Sequence, residues 1–152
     1  MNHHAYIFEG VEGIGKTVFI LEIAKGVLCN SLPNAKACNK CQSCRLFDEL
    51  NHPDFYLIKL EEDKKQISIN QIRKLQEPLY ESSFLGSNRV FLINPLEKLT
   101  REALSSCLKI LEEPPTSAIF LLVSHRYQTL PSTIMSRCIQ ISMAIPEKEQ
   151  IK

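Results

Sequence analysis

The chain contains no apolar run approaching the ~20 residues that a membrane-spanning helix requires; the longest, such as Ile119 to Val123, are far shorter. It also lacks a cleavable leader with a basic start, so a cytoplasmic protein without membrane attachment is expected. Glycine and proline are sparse, five and eight among 152 residues, which rules against collagen-like repeats and broad disorder. Neither charge sign is in excess. Eighteen Lys and Arg against seventeen Asp and Glu leave a net +1, so the chain has no basic surplus with which to grip phosphate backbones non-specifically. No internal repeat or low-complexity tract is visible.

What remains is an ordinary globular composition, 44% apolar and 23% charged, over a length suited to one domain with a buried core. Short β-rich runs alternate with helix-period segments, the pattern of a parallel sheet covered by helices. Five strands are expected: Ala5–Phe8, Phe55–Lys59, Val90–Asn94, Ile119–Ser124 and Cys138–Met143, most of them continuously apolar as strands buried on both faces are. A first helix, about Lys16–Leu28, places Ile20, Ala24, Val27 and Leu28 on one face. Ser68 and Gln71 form a capping box for a second, which Pro78 should kink or end. A third starts after Thr100 and stops at Pro114-Pro115, with Leu104, Cys107, Leu108 and Leu111 on its apolar face. Between Cys29 and Pro53 the hydrophobic period disappears, which marks an inserted module of about residues 29–50.

Gly10-Val11-Glu12-Gly13-Ile14-Gly15-Lys16-Thr17 matches GxxxxGK[ST] between an expected buried strand and an amphipathic helix. Such a loop turns successive N–H groups towards phosphate oxygens at a helix N-terminus. Lys16 adds a point charge, and the Thr17 hydroxyl is suited to hold Mg²⁺. ATP or GTP is the implied ligand; the alternative is a glycine-rich turn kept for packing. Hydrolysis needs more. Phosphate-loop enzymes offer the metal shell an acidic residue from the end of a neighbouring strand, whereas Val90–Ile93 here runs into Asn94-Pro95. A neutral amide cannot balance the charge of Mg²⁺ as a carboxylate does, so catalysis in cis is expected to be impaired. Glu97 could swing towards the site as a base, although a solvated loop charge is its more economical reading.

Of six cysteines, Cys29, Cys38, Cys41 and Cys44 fall within sixteen residues as Cys-x8-Cys-x2-Cys-x2-Cys, while Cys107 and Cys138 stand alone. That clustering favours metal over a disulfide framework, and four thiolates close in sequence suit a closed tetrahedral structural zinc site. Free thiols or a redox pair are the competing readings. With zinc bound, the formal charge would move from +1 to about −1. Cys107 and Cys138 read as buried core residues, and His3-His4 as a terminal polar pair.

The order of these motifs carries a family resemblance. His3-His4-Ala5-Tyr6-Ile7-Phe8 leads into the phosphate loop, the cysteine cluster follows the first helix, and Asn51-His52-Pro53-Asp54 precedes the second strand. Ile67–Gln76 follows with Gln71-Ile72-Arg73, then Leu108-Lys109-Ile110-Leu111-Glu112-Glu113-Pro114-Pro115 and Leu130–Cys138 with Ser136-Arg137-Cys138. Over nearly its whole length the chain resembles the bacterial clamp-loader subunits of the AAA+ class. It resembles the delta-prime branch more than the gamma/tau branch, whose ATP-hydrolysing members carry Asp-Glu where this chain has Asn94-Pro95.

The resemblance implies a three-layer α/β AAA+ core with a five-stranded parallel sheet, binding ATP or ADP with Mg²⁺ at Gly10, Glu12, Gly13, Ile14, Gly15, Lys16 and Thr17. It implies structural Zn²⁺ at the four clustered cysteines. Ser124 takes the place of a polar nucleotide-sensing residue, and Arg137 that of an arginine finger delivered to a neighbouring subunit's nucleotide, the alternative being a surface arginine that braces a strand. The implied partners are the gamma/tau and delta subunits, and through them the sliding clamp and primed DNA. A segment before the first strand and lid and collar domains after the last are also expected in the family, so residues 1–152 are expected to be a fragment. Three alternatives stay open: an ATP-hydrolysing gamma/tau-type subunit, a stand-alone phosphate-loop ATPase or kinase, and a zinc-module nucleic-acid binder. The last has only Lys36, Lys40, Arg45 and Phe47 in its favour.

Overall fold

The computed structural model describes residues 4–10, 15–29, 36–86, 88–115, 117–126 and 129–143. The five strands are β1 Ala5–Glu9, β2 Phe55–Lys59, β3 Arg89–Asn94, β4 Ala118–Ser124 and β5 Ile139–Ser142. They form one sheet in the order β2-β3-β4-β1-β5, with every pair parallel. The helices are α1 Lys16–Leu28, α2 Gln42–Asp48, α3 Ile69–Arg73, α4 Gln76–Leu79, α5 Arg101–Glu112 and α6 Ser132–Met135.

The alternation of side chains along each strand explains why the runs are apolar throughout. Tyr6, Phe8, Val90, Leu92, Ile119, Leu121 and Val123 face one side, where Ile20, Ala24 and Leu28 of α1 cover them. Ala5, Ile7, Phe91, Ile93, Phe120 and Leu122 face the other, packed with Ile72, Leu79, Ala103, Cys107 and Leu111 from α3, α4 and α5. The result is the expected three-layer α/β core.

The second helix departs from expectation. It is broken at Lys74-Leu75, and Pro78 sits within α4, whose first-turn N–H groups have no intrahelical partners, so the missing donor costs nothing there. α2 and α6 are short helices that the hydrophobic period did not reveal.

Asp54, just before β2, is 1% exposed, and its carboxylate accepts the N–H groups of Phe84 at 2.7 Å and Leu85 at 2.9 Å. That fixes the turn leading from α4 to β3. Asp54→Ala removes the acceptor of two part-buried N–H groups, so we expect a loss of about 2 kcal/mol in urea unfolding. A loss under about 1 kcal/mol would show that the turn does not depend on the carboxylate.

Candidate functional site

In a parallel sheet, ligands are held at the C-terminal ends of the strands. There the start of α1 and the ends of β2, β3 and β4 border a cleft of about 540 Å³. The start of α1 contributes Gly15, Lys16 and Thr17, β2 contributes Lys59, the turn after β3 contributes Asn94, Pro95 and Lys98, and His125 comes from the residue after β4.

Gly15 has φ +83°, a left-handed conformation that disfavours any side chain, and its carbonyl accepts the N–H of Phe19 to open α1. Lys16 is 3% exposed, and its Nζ donates to the Gly10 carbonyl oxygen at 2.6 Å. Asn94 Nδ2 lies 3.4 Å from Thr17 Oγ1, so β3 delivers a neutral amide to the hydroxyl at the helix start. Glu12, Gly13 and Ile14 lie outside the described residues, as do His3 and the tail after Met143.

Ser124 is fully buried at the end of β4, and its Oγ donates to Glu97 Oε1 at 2.5 Å. The Arg126 N–H donates to the same oxygen at 2.6 Å. Glu97 therefore corrects the reading of a solvated charge: it is half-buried and braces the turn that carries His125. It is not among the residues lining the cleft.

The cysteine module packs against the α1 face of the sheet. The four sulfurs of Cys29, Cys38, Cys41 and Cys44 lie within 4.8 Å of one another, with Cys29–Cys41 at 3.8 Å and Cys38–Cys44 at 4.0 Å. Zn–S bonds of about 2.3 Å in a tetrahedron put sulfurs about 3.8 Å apart, so the cluster has the dimensions of a closed four-thiolate zinc site. Backbone N–H groups face the sulfurs, from Cys38 to Cys29 Sγ at 3.4 Å, Cys41 to Cys38 Sγ at 3.2 Å and Cys44 to Cys41 Sγ at 3.4 Å. Burial pushes the Cys44 thiol up to about 12, so thiolate formation there needs a cation. Cys107 is buried in the core and burial raises its thiol to about 12, whereas Cys138, expected as a buried residue opening the fifth strand, is half-buried and lies just before β5, burial raising its thiol to about 11.

Two polar devices fix the module to the core. Lys25 of α1, 6% exposed, donates to Asn39 Oδ1 at 2.5 Å and pairs with Asp48 Oδ1 at 2.8 Å. The hydrogen bond to Asp48 raises its pKa against the opposing effect of desolvation. Ser43 Oγ donates to the Leu28 carbonyl at 2.7 Å and so accepts, also at 2.7 Å, from His52 Nε2–H; His52 Nδ1 accepts the Asp54 N–H at 3.0 Å. His52 is thus the neutral Nε2–H tautomer, and burial lowers its pKa, with the Asp54 carboxylate opposing.

Arg137 lies at the opposite end of the sheet from the phosphate loop. Tyr6 of β1 pairs with Ile139 of β5, so the start of β5 stands four residue levels below Gly10, about 13 Å along the strands, and Arg137 lies in the turn two residues before it. Its Nη2 reaches Glu112 Oε1 at 3.1 Å, with the two side chains 39% and 45% exposed.

Lys59, Lys98, His125 and Lys25 were not singled out in the sequence. The first three could have been found from their positions at or just past strand ends.

Fold and site together define a phosphate-loop α/β core carrying a four-cysteine module. A family model described as "DNA polymerase III, delta subunit" matches residues 1–147. The chain is 36% identical over 143 residues to the DNA polymerase III subunit delta' of Pseudomonas aeruginosa, covering 94% of this chain and 44% of that protein. It is 35% identical over 150 residues to the subunit tau of Escherichia coli, covering 99% of this chain and 23% of the relative. In structure it is similar to a DNA polymerase III gamma subunit-related protein from Thermotoga maritima, with TM-score 0.64, 21% identity, and coverage of 97% of this chain and 43% of the other.

The chain belongs to this DNA polymerase III subunit family as a homologue of delta', with gamma/tau also similar. It spans less than half the length of the delta' relatives it matches. Among the described residues no helix is long and apolar enough to cross a membrane.

Proposed function

We propose that the chain is the nucleotide-binding core of a delta-prime-type clamp-loader subunit, which helps place the sliding clamp on primed DNA in the cytoplasm and works with gamma/tau and delta. Arg137 acts in trans, as an arginine finger on the nucleotide held by the adjoining motor subunit. One observation carries this reading: Arg137 lies in the turn that leads into the start of β5, at the end of the sheet away from its own phosphate loop, and is exposed there. A planar, permanently charged guanidinium can make paired bonds to phosphate oxygens there and balance charge as the γ-phosphoryl group leaves.

The loop of Gly10, Glu12, Gly13, Ile14, Gly15, Lys16 and Thr17 holds ATP or ADP without rapid turnover, and Ser124 senses its occupancy through the Glu97-braced turn. The cysteines hold one structural zinc ion. Identity to gamma/tau relatives at 34–35% keeps a hydrolysing subunit in view as the second reading, but Asn94-Pro95 supplies neither a metal-binding nor a proton-accepting carboxylate.

Reconstitution tests the proposal. The full-length parent protein, mixed with gamma/tau and delta, is expected to co-elute as one assembly and to give ATP turnover that depends on clamp and primed DNA. A parent that elutes alone and hydrolyses ATP briskly would favour the second reading.

A further inference from the structure

Polar residues close the strands on both faces of the sheet. Asn94 follows Val90 and Leu92 in alternation and so meets Thr17 on the α1 face. Glu9 and Ser124 are on the other face: Glu9 follows Ala5 and Ile7, Ser124 follows Phe120 and Leu122, and these four apolar residues belong to the core that α3, α4 and α5 cover. Glu9 is paired in register with Ser124 on one side and Ser142 on the other. Glu97 comes to the same place from the turn after β3, its Oε1 accepting from the Ser124 hydroxyl at 2.5 Å and the Arg126 N–H at 2.6 Å. The two carboxylates are incompletely bonded. Glu9 is 8% exposed, and its Oε2 has almost no water-accessible surface and no hydrogen-bond partner; Glu97 Oε2 is in the same condition. Among the described residues neither carboxylate enters an ion pair.

Carboxylate oxygens withdrawn from water are costly unless a donor or a counter-charge meets them. Glu9 is more than nine-tenths buried, so its unmatched oxygen is no surface feature, and its side chain is on the face of the sheet where Glu97 has a second one. We propose that Glu9 and Glu97 together hold one hard divalent cation, of the Mg²⁺ or Mn²⁺ class, between the end of β1 and the turn after β3. The donors are oxygens: the two carboxylates, and the Ser124 hydroxyl, which keeps its lone pairs while giving its proton to Glu97, with water to complete the shell. Oxygen ligands select Mg²⁺ or Mn²⁺, whereas the four clustered thiolates suit zinc. One dication balances the two carboxylates. It ties β1 to the Glu97 turn, and through Glu97 Oε1 to Ser124 and Arg126, so its role is to stiffen the strand ends. The site uses no residue from Gly10 to Thr17 and stands independently of nucleotide binding.

The test is Mn²⁺ binding to the full-length protein without nucleotide, read from the loss of the electron paramagnetic resonance signal of free Mn²⁺. One ion per chain is expected, displaced by excess Mg²⁺. Glu9→Gln and Glu97→Gln are each expected to weaken its binding by about tenfold or more, and Glu61→Gln/Glu62→Gln, at exposed acids beyond β2, to leave it unchanged. Melting gives a second reading. Mn²⁺ should raise the melting temperature of the parent protein and of neither single variant, and Glu9→Gln, relieved of a buried charge, should melt no lower than the parent in metal-free buffer. No Mn²⁺ bound by the parent, binding that both single variants keep, or binding lost equally in the Glu61/Glu62 variant overturns the inference. None of these results bears on the phosphate loop.

Discussion

Cys44→Ser is expected to reduce bound zinc from one ion per chain to none and to release the module of residues 29–50 from the core, while the parallel sheet persists. Cys44 is the fully buried sulfur of the cluster, and a seven-residue α2 has too few turns to be stable alone. In zinc-finger peptides the ion contributes roughly 10–16 kcal/mol of apparent binding free energy, far above what a single aromatic contact supplies. The Phe47–Phe55 contact, with ring centroids 4.9 Å apart, and the Lys25–Asp48 pair anchor the module but would not replace a bound ion. The sheet should survive because its two faces are packed mainly by residues outside the module. Metal analysis with hydrogen exchange checks this. Stoichiometric zinc in the variant, or unchanged protection of α2 amides, would refute the assignment.

Arg137→Ala is expected to lower ATP turnover of the assembled loader by about a thousandfold, the low end of what an arginine finger contributes in phosphoryl transfer. Glu112→Ala should change turnover little. An exposed ion pair is worth about 0–1 kcal/mol, so Glu112 holds the guanidinium loosely and would yield it to a neighbouring phosphate. Arg137→Lys should rescue poorly, because an ammonium keeps the charge but loses the planar fork. Near-normal turnover in Arg137→Ala would reduce Arg137 to a brace between β5 and the end of α5.

The strands were legible to within a residue or two at each end because both faces of the sheet are covered, which leaves continuous apolar runs between polar breaks. The helix start at Gly15-Lys16-Thr17 and the clustering of the four cysteines were legible because both patterns keep their residues close in sequence. α2 was not, since cysteine clustering and docking hold it in place and no helical period announces it. Lys59, Asn94, Lys98 and His125 leave three different strands, and only the β2-β3-β4-β1 order brings them to one cleft. Glu97 misled for a related reason: its partners, Ser124 and Arg126, are 27 and 29 residues away, on the far side of a helix and a strand.

The central claim is that this subunit acts on its neighbour's nucleotide and not on its own. It is tested most directly by clamp- and DNA-dependent ATP turnover in loaders assembled with the full-length parent protein carrying either Arg137→Ala or Lys16→Ala. The account predicts that turnover collapses with Arg137→Ala and is largely retained with Lys16→Ala. Collapse with Lys16→Ala alone would contradict it and make this chain a motor subunit.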